Sequence, residues 1–291
     1  DGCDFACTFC LTTQARGPSR SLLPGEVLRQ GRALAAAGYR EVVLTGVHLG
    51  AYGHDLPIRI NLAELLRRLL RVEGLERVRL SSVEPREFTE ELIRVVTASQ
   101  GGRPRVCRHF HIPLQHGSDR ILRAMGRNYT ASLYARRMRL LRRLLPDSAA
   151  GADVMVGFPG EGEEEFEECY AFLRSLPLTY LHVFPYSPRP GTRAAEMGEA
   201  PPPAVKRRRA ALLRALDREK RAAFRRSQLG REVEALIEAR RDRDTGLLVG
   251  MTENYLRVMV EGPNSWMGAS VPLRLDAPSG GMDALRGVPL S

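Results

Sequence analysis

The chain has little lysine, little cysteine and no long apolar run, and each shortage bears on the class of protein that it can belong to. Lys206 and Lys220 are the only lysines, so arginine carries the formal net charge of +10. No apolar stretch approaches the roughly 18 residues of a membrane span, and no secretory signal opens the sequence. We therefore expect a cytoplasmic protein that has no membrane partner. Five cysteines, an odd number, do not indicate a disulfide framework and fit a reducing compartment.

The basic composition predicts attraction to polyanions. Arginine suits bidentate phosphate contacts and stacking on bases, although a biased genomic base composition would give the same enrichment. Charge alone therefore does not identify a partner. The length of 291 residues suggests two domains, and the hydrophobic fraction of 43% suffices for a packed core.

Three of the five cysteines, Cys3, Cys7 and Cys10, form a C-x3-C-x2-C motif. Three soft thiolates from one loop suit an iron–sulfur cubane in which one iron remains open for a substrate or cofactor. Structural zinc is the alternative, but it needs a fourth ligand, commonly from a second C-x2-C pair, which this sequence lacks. The histidines that could complete a zinc site are His48, His109 and His111. The spacing therefore favours a 4Fe-4S cluster.

The first 225 residues or so alternate helical patterns with short apolar runs, which predicts parallel strands joined by helical crossovers. The loops after the carboxyl ends of such strands usually carry the active site. A cysteine loop placed in this way should follow a strand of its own, which would precede Asp1, so we expect a longer natural chain. The predicted helices are Pro24–Ala37, Leu62–Val72, Thr89–Thr97, Ser118–Met125, Thr130–Leu145 and Gly162–Leu176. The predicted strands are Glu41–Thr45, Arg77–Leu80, His109–Leu114, Gly151–Val156 and Leu181–Phe184.

Three consecutive prolines, 201–203, mark a boundary. The pattern then predicts a long basic helix, Val205–Arg226, whose apolar stripe comprises Leu212, Leu213, Leu216 and Phe224. From Gly230 onward, short strands joined by Gly, Asp and Pro turns predict a small all-β barrel of a kind that often binds oligonucleotides. We thus expect one domain over residues 1–226 and a second over 227–291. The predicted barrel strands are Val233–Ile237, Gly246–Met251, Tyr255–Val260 and Ala269–Leu275.

The cysteine motif, with Phe9 before its last cysteine, resembles the signature of radical S-adenosylmethionine (SAM) enzymes. Further stretches resemble the methylthiotransferases of that superfamily, and the resemblance extends from residue 1 to about 275. The pairing of L-T-G-V-H at 44–48 with S-S-V-E-P at 81–85 is most similar to the subfamily that acts on N6-threonylcarbamoyladenosine in tRNA. The other matching stretches are residues 15–21, 111–119, 151–161 and 184–192.

This resemblance implies a partial (βα)6 TIM-like radical SAM barrel, with its first strand missing, followed by an OB-like TRAM domain that binds RNA. It implies a 4Fe-4S cluster whose open iron binds SAM. A reduced cluster then cleaves SAM to a 5′-deoxyadenosyl radical. The implied product is a methylthio group on C2 of the modified adenosine at position 37 of tRNA. An electron donor is a further implied partner.

The resemblance also implies roles for single residues, although each could instead be an ordinary turn or capping residue. Cys3, Cys7 and Cys10 would hold the cluster. The residues implied for the cofactor are Phe9, Thr45, Gly46, Ser81, Ser82, Glu84 and Gln115. The residues implied for RNA are Arg240, Arg241, Arg243, Asn254, Tyr255 and Arg257.

The family also has an amino-terminal domain with three more cysteines, which hold a second 4Fe-4S cluster that delivers sulfur. The remaining cysteines here, Cys107 and Cys169, are expected to be structural thiols. The acidic run Glu161–Glu168 is expected to be a solvated helix start rather than a metal site. Two alternatives stay open. One is a methylthiotransferase for isopentenyladenosine in tRNA or for a ribosomal-protein aspartate; the other is a non-catalytic protein that binds zinc and RNA.

Overall fold

A computed structural model of the chain describes residues 1–102, 105–277 and 284–290. All the predicted helices are present, preceded by one short helix. Side-chain caps set several helix starts: Asn61 accepts from the backbone of Glu64 at 2.9 Å, and Thr89 and Thr130 do the same for their helices. The helices are α1 (Thr12–Arg16), α2 (Pro24–Ala36), α3 (Leu62–Leu69), α4 (Glu90–Ala98), α5 (Asp119–Ala124), α6 (Ala131–Leu144), α7 (Glu163–Ser175) and α8 (Pro203–Gln228).

The strands of the first part of the chain are all parallel, as predicted. They are β1 (Glu41–Leu44), β2 (Arg77–Leu80), β3 (Arg105–Val106), β4 (His109–His111), β5 (Ala149–Val156) and β6 (Tyr180–Pro185). One sheet has the order β1-β2-β3 and the other β4-β5-β6. Only Cys107 and Arg108 separate β3 from β4, and the backbone of Val83, just after β2, donates to His111 at 3.0 Å. The short strands β3 and β4 therefore share one position, and the two sheets together form a continuous parallel arrangement of five positions.

Side chains from β1, β2, β4, β5 and β6 line one common cavity of about 710 Å³. Side chains from both ends of a five-position sheet can meet in one cavity only if the sheet is strongly curved. The helices α3, α4 and α6 pack on the other face, where the main core lies; Leu66, Val78, Phe88 and Leu114 are completely or almost completely buried there. This is the helix-on-sheet layering that the alternating pattern predicts.

The carboxyl-terminal part forms a closed five-stranded barrel of order β10-β11-β9-β8-β7. Four of its strands were predicted; the fifth, β11, was not, and it pairs parallel to β9 and antiparallel to β10. Tyr255, predicted to begin a strand, instead lies in a turn with a φ of 64°. The strands are β7 (Glu232–Arg241), β8 (Leu248–Thr252), β9 (Arg257–Val260), β10 (Ser270–Asp276) and β11 (Leu285–Pro289).

Helix α8 joins the two parts and packs against β5 and β6. Leu213 and Leu216 of the predicted stripe are buried, but Leu212 is 44% exposed, so its assignment to the stripe was wrong. Arg209 is buried instead and pairs with the carboxylate of Glu161, its Nη1 lying 2.7 Å from Oε1. Glu161 is therefore buried before α7 and is not part of the solvated helix start that was expected, while the next three glutamates occupy the first turn of α7 as expected.

Buried and partly buried arginines attach the barrel to the parallel sheet. Arg79 on β2 donates to both carboxylate oxygens of Glu41, at 2.7 and 3.2 Å, and to the carbonyl oxygens of Thr252 and Glu253, at 3.3 and 3.1 Å. Arg105 pairs with Glu253 and with Glu234. Glu76, Arg108 and Asp147, which precede β2, β4 and β5, also contact the barrel, so the barrel sits against the amino-terminal ends of the parallel strands and lines part of the large cavity.

Candidate active site

The cysteine loop lies at the carboxyl end of the parallel sheet and is tied down on several sides. The backbone of Thr8 donates to Met125 at 3.0 Å and accepts from Ala194 at 2.8 Å. The hydroxyl of Thr13 donates to the carbonyl oxygens of Cys3 and Phe5, at 3.1 and 3.0 Å. The loop is therefore positioned by α1, by the turn after α5 and by the segment after β6.

The three thiols differ in their surroundings. Cys10 is exposed, whereas Cys3 and Cys7 are half-buried. Burial raises the pKa of Cys7, and the nearby Arg127 guanidinium opposes that shift. The Sγ of Cys3 lies 4.0 Å from Nδ1 of His48, whose ring contacts that of Phe5 at a tilt of 42°, with ring centroids 4.2 Å apart.

Arg127 links the loop to the sheet. Its Nη1 donates to the Sγ of Cys7 at 3.1 Å, its Nη2 pairs with the Glu84 carboxylate, and its Nε donates to the hydroxyl of Tyr129 at 3.1 Å. Burial raises the pKa of Glu84, and the same guanidinium opposes that effect. Sequence reasoning missed Arg127 because nothing local in the sequence signals that it meets Cys7 and Glu84.

The donor set fits a 4Fe-4S cluster. Three soft sulfur donors come from one short loop that its backbone hydrogen bonds hold in place. A buried guanidinium beside Cys7 offsets the negative charge that three thiolates bring. The residues that would hold the cluster are Cys3, Cys7 and Cys10.

The residues predicted for the cofactor are divided among neighbouring cavities. Ser81 and Ser82 line the large cavity. Thr45 and Gly46 line a separate one of about 260 Å³, beside His48. Phe9 lines a third, of about 420 Å³, together with Cys10. The predicted cofactor residues thus lie around the cysteine loop, but they do not all line the same cavity.

Gln115 and Glu84 are the two other predicted cofactor residues. Gln115 has a φ of 69°, is buried, and forms an isolated bridge with Val154, which extends the line of β4. Its Oε1 is buried without a hydrogen-bond partner, as is Oγ of Ser81. Such unmatched acceptors are costly unless a ligand or water satisfies them. Glu84, in contrast, is engaged by Arg127.

The residues predicted for RNA fall into two groups. Tyr255 is 53% exposed and stacks on His109 with ring centroids 4.3 Å apart. Arg257 lines the same cavity as Tyr255, while Arg240 and Arg243 are exposed on the barrel.

Asn254 does not fit the predicted role, whereas Arg241 is exposed and hydrogen-bonded to neighbouring loops. The guanidinium of Arg241 donates to Asn264, Gly246 and Gly262 at 2.7–2.9 Å, which holds the surrounding loops together. Asn254 is buried, and its amide bonds Thr252, Asp147 and Gln228. The amide of Asn254 is therefore engaged inside the molecule, while the guanidinium of Arg241 stays at the surface.

Sequence reasoning also missed a polar group on the concave face of the sheet. It comprises His109 and His111 on β4, Asp153 on β5, and Tyr180 and His182 on β6. The hydroxyl of Tyr180 lies 2.9 Å from Nε2 of His109 and 3.1 Å from Nδ1 of His111. Burial, followed by the charge of Arg79, lowers the pKa of His109 to about 3. The two-residue spacing of His109 and His111, and of Tyr180 and His182, is a signal for this group, because alternate residues of a strand lie on one face.

The remaining cysteines are buried, in line with structural thiols. Burial raises the pKa of Cys107 to about 12. The Sγ of Cys169 accepts from the backbone of Gly117 at 3.1 Å. In the part of the chain that the structure describes, no helix combines the length and the apolar character that a bilayer crossing requires.

A parallel, curved sheet with a three-cysteine loop at its carboxyl edge is the arrangement of a radical SAM domain. The chain belongs to the radical SAM superfamily, whose sequence model matches residues 1–173. This confirms the predicted cofactor pair at the level of the superfamily, and it confirms the prediction of a radical SAM enzyme.

Among characterised proteins, the chain is similar to the threonylcarbamoyladenosine tRNA methylthiotransferase of Bacillus subtilis, with 42% identity over 94% of this chain and 60% of that protein. Its counterpart in Aquifex aeolicus is 40% identical over 90% of this chain and 61% of that protein. The tRNA-2-methylthio-N(6)-dimethylallyladenosine synthase of Parafrankia is 40% identical over 93% and 55%. The chain thus spans about three fifths of the length of these relatives.

Solved structures support the fold alone, because their sequence identity is low. Coproporphyrinogen III oxidase of Escherichia coli gives a TM-score of 0.53 at 14% identity, covering 99% of this chain and 70% of that one. A radical SAM methyltransferase from Kitasatospora setae gives 0.54 at 20% identity, covering 67% and 37%. The TIM-like α/β fold predicted for the first part is confirmed.

Proposed function

We propose that this chain is the SAM-cleaving and RNA-binding portion of a tRNA methylthiotransferase that acts on N6-threonylcarbamoyladenosine at position 37. The observation that carries the proposal is the three-thiol loop held by Arg127 beside Glu84, at the carboxyl edge of the curved sheet. The similarity to tRNA methylthiotransferases over most of the chain supports the substrate class.

In this proposal the cluster and SAM, when bound, supply a 5′-deoxyadenosyl radical able to take hydrogen from C2 of the adenine. The chain's own residues bind and orient the cluster, SAM and the substrate. Arg127 fixes Cys7 and neutralises Glu84. Gln115 and Ser81 present the unmatched acceptors Oε1 and Oγ, which can bind donors of the cofactor or of the substrate. The backbone around Gly46 lines the cavity nearest His48.

We assign residues 1–226 to the radical SAM domain with its connecting helix, and residues 227–291 to a TRAM domain. The closed barrel and its exposed basic residues support this assignment. Arg240, Arg243 and Arg257 would contact phosphates, and Tyr255 would stack on a base. A further domain in the whole protein would supply sulfur, and a reductant would supply electrons to the cluster.

Reconstitution tests the chemistry. The chain is loaded anaerobically with iron and sulfide, then given dithionite and SAM, and 5′-deoxyadenosine is measured. We expect its formation, and we expect Cys7→Ala to abolish it while the matched Cys107→Ser variant retains it, because Cys107 is buried away from the loop. If the loaded chain forms no 5′-deoxyadenosine, the proposal fails. One zinc per chain with no acid-labile sulfide would instead favour a zinc- and RNA-binding protein.

The nucleoside substrate needs a separate test, because relatives of both tRNA types match at similar identity. Cells with and without the full-length gene are compared by mass spectrometry of tRNA nucleosides. We expect loss of the methylthio group from threonylcarbamoyladenosine. Loss from dimethylallyladenosine alone would identify the second candidate substrate instead.

A further inference from the structure

Three side chains outside the cysteine loop converge on the concave face of the sheet: His111, Asp153 and His182. Their convergence follows from strand register. Asp153 is the direct partner of His182 across β5 and β6, while His111 is the partner of Gly151, two residues before Asp153. Residues two apart on a strand face the same side, so all three side chains meet above adjacent strands.

We propose that His111, Asp153 and His182 form a binding site for one divalent transition-metal ion, separate from the cysteine loop. The donor atoms are Nε2 of His111, Oδ1 of Asp153 and Nδ1 of His182. The first two lie 3.0 Å apart and the last two 3.3 Å apart, and all three atoms lie within 4.8 Å of one another.

The separations from Asp153 to each histidine match those between neighbouring donors in a metal's coordination sphere. Ligand bonds of about 2.0–2.2 Å at tetrahedral or octahedral angles place neighbouring donors about 2.8–3.6 Å apart. Two imidazoles and one carboxylate on one face of an ion suit Fe²⁺, Mn²⁺, Co²⁺ or Zn²⁺ and leave other coordination positions open. Here those positions face the cavity of about 710 Å³, which the three residues help to line.

The surroundings supply what a metal-binding histidine needs. The other ring nitrogen of His111, Nδ1, lies 3.1 Å from the hydroxyl of Tyr180, which can hold the ring and its tautomer in place. Within residues 1–102, 105–277 and 284–290, no arginine or lysine makes an ion pair with Asp153. Of the four arginines that line the same cavity, Arg79, Arg221 and Arg257 are each paired with a carboxylate: Glu41, Asp217 and Asp242 respectively.

The test uses Mn²⁺, which prefers oxygen and nitrogen donors to thiolates and therefore avoids the cysteine loop. Binding to the whole chain, prepared without iron, is followed by electron paramagnetic resonance as loss of the free Mn²⁺ signal. We expect one saturable site per chain. His182→Ala and Asp153→Asn should each weaken binding at least tenfold, whereas the exposed control His54→Ala should not change it. A Cys3→Ser/Cys7→Ser/Cys10→Ser variant should bind as the unsubstituted chain does.

His182 is the most exposed of the three, with 55% of its side chain accessible, so its variant is expected to fold even if the Asp153 variant does not; thermal melts check both. Absence of saturable Mn²⁺ binding overturns the proposal. So does binding that a folded His182 or Asp153 variant retains, or binding that only the cysteine variant loses. The readout does not depend on SAM cleavage, so this inference and the proposed function can fail independently.

Discussion

Arg127 illustrates how a single buried charge organises the cysteine loop. Its side chain is only 4% exposed, and it touches Cys7, Glu84 and Tyr129 at once. Sequence reasoning assigned Glu84 to the cofactor because of its motif, while the structure gives it a partner within the protein. Glu84 can have both roles only if its carboxylate stays paired with Arg127 while it also faces the cofactor.

Arg127→Met should lower the free energy of unfolding by about 3–5 kcal/mol, because it leaves the buried Glu84 carboxylate without its partner. Removing both charges, as Arg127→Met with Glu84→Gln, should recover most of that loss. Urea denaturation of the iron-free chain measures both variants. Equal stability of the single and double variants would show that the pair is not coupled.

Cys107 should be inert in the folded chain. Burial raises the pKa of its thiol from 9.0 to about 12, so it stays protonated at pH 8, where only a thiolate is alkylated. Iodoacetamide should label the exposed Cys10 roughly 100-fold faster or more, as peptide mass spectrometry can show. Comparable labelling of the two in native buffer would contradict this prediction.

The raised pKa of Cys107 also determines the direction in which stability changes with pH. Between pH 9 and 12 the unfolded chain releases the Cys107 proton while the folded chain keeps it. Ionisation therefore favours the unfolded state, and this thiol's contribution to stability falls as the pH rises through that window. Cys107→Ser should show a shallower alkaline decline in denaturation curves.

At the scale of elements, the turn after α5 determines where the cysteine loop sits. Gly126 has a φ of 72°, and a Cβ built on it would lie 2.8 Å from the carbonyl oxygen of Ala6. Glycine is therefore needed both for the backbone conformation and for the close approach of the two segments. The loop and the turn are 120 residues apart in the sequence, so only the folded sheet brings them together.

Gly126→Ala should cost roughly 1–2 kcal/mol for the left-handed backbone and should also lower the iron and sulfide bound per chain. Gly230→Ala is the matched control, since its φ is 75° and nothing lies within 4 Å of the added Cβ. Thermal melts and metal analysis give the two readouts. If both variants load iron equally well, the turn does not position the loop.

At the scale of the whole molecule, the barrel and the curved sheet share one cavity. Tyr255, from the barrel, stacks on His109 of the sheet. The Arg79 guanidinium lies 5.1 Å from the centroid of the Tyr255 ring. In the proposed function, the half-exposed ring of Tyr255 would stack on an unpaired base of the tRNA.

Tyr255→Ala should weaken binding of a tRNA anticodon stem-loop about tenfold, because base–aromatic stacking contributes about 1–3 kcal/mol. Tyr255→Phe should retain the affinity. Tyr39→Ala serves as the control, since Tyr39 is 59% exposed in the loop between α2 and β1. Fluorescence anisotropy at fixed salt measures all three; an unchanged affinity for Tyr255→Ala would remove Tyr255 from the RNA site.

Local patterns predicted most elements because each has a local cause. The caps Asn61, Thr89 and Thr130 begin their helices, and apolar runs between glycine and proline turns became strands. Strand β11 escaped prediction because Leu285–Pro289 is short and contains a glycine and a proline, so its pairing with β9 and β10 is what makes it a strand. Leu212 was misassigned because the buried face of α8 comprises Arg209, Ala210, Leu213 and Leu216, and Leu212 lies at the edge of that face.

By itself, the sequence determined the three-cysteine loop, the parallel α/β order and four of the five barrel strands, since cysteine spacing and hydrophobic period are local properties of the chain; the pairing of β11 that closes the barrel is not local. Only the tertiary structure decided that Arg127 meets Cys7, that Asn254 is engaged internally, and that His111, Asp153 and His182 converge. Those contacts join residues from separate strands and loops. Their distances depend on strand register and sheet curvature, which no local stretch of sequence encodes.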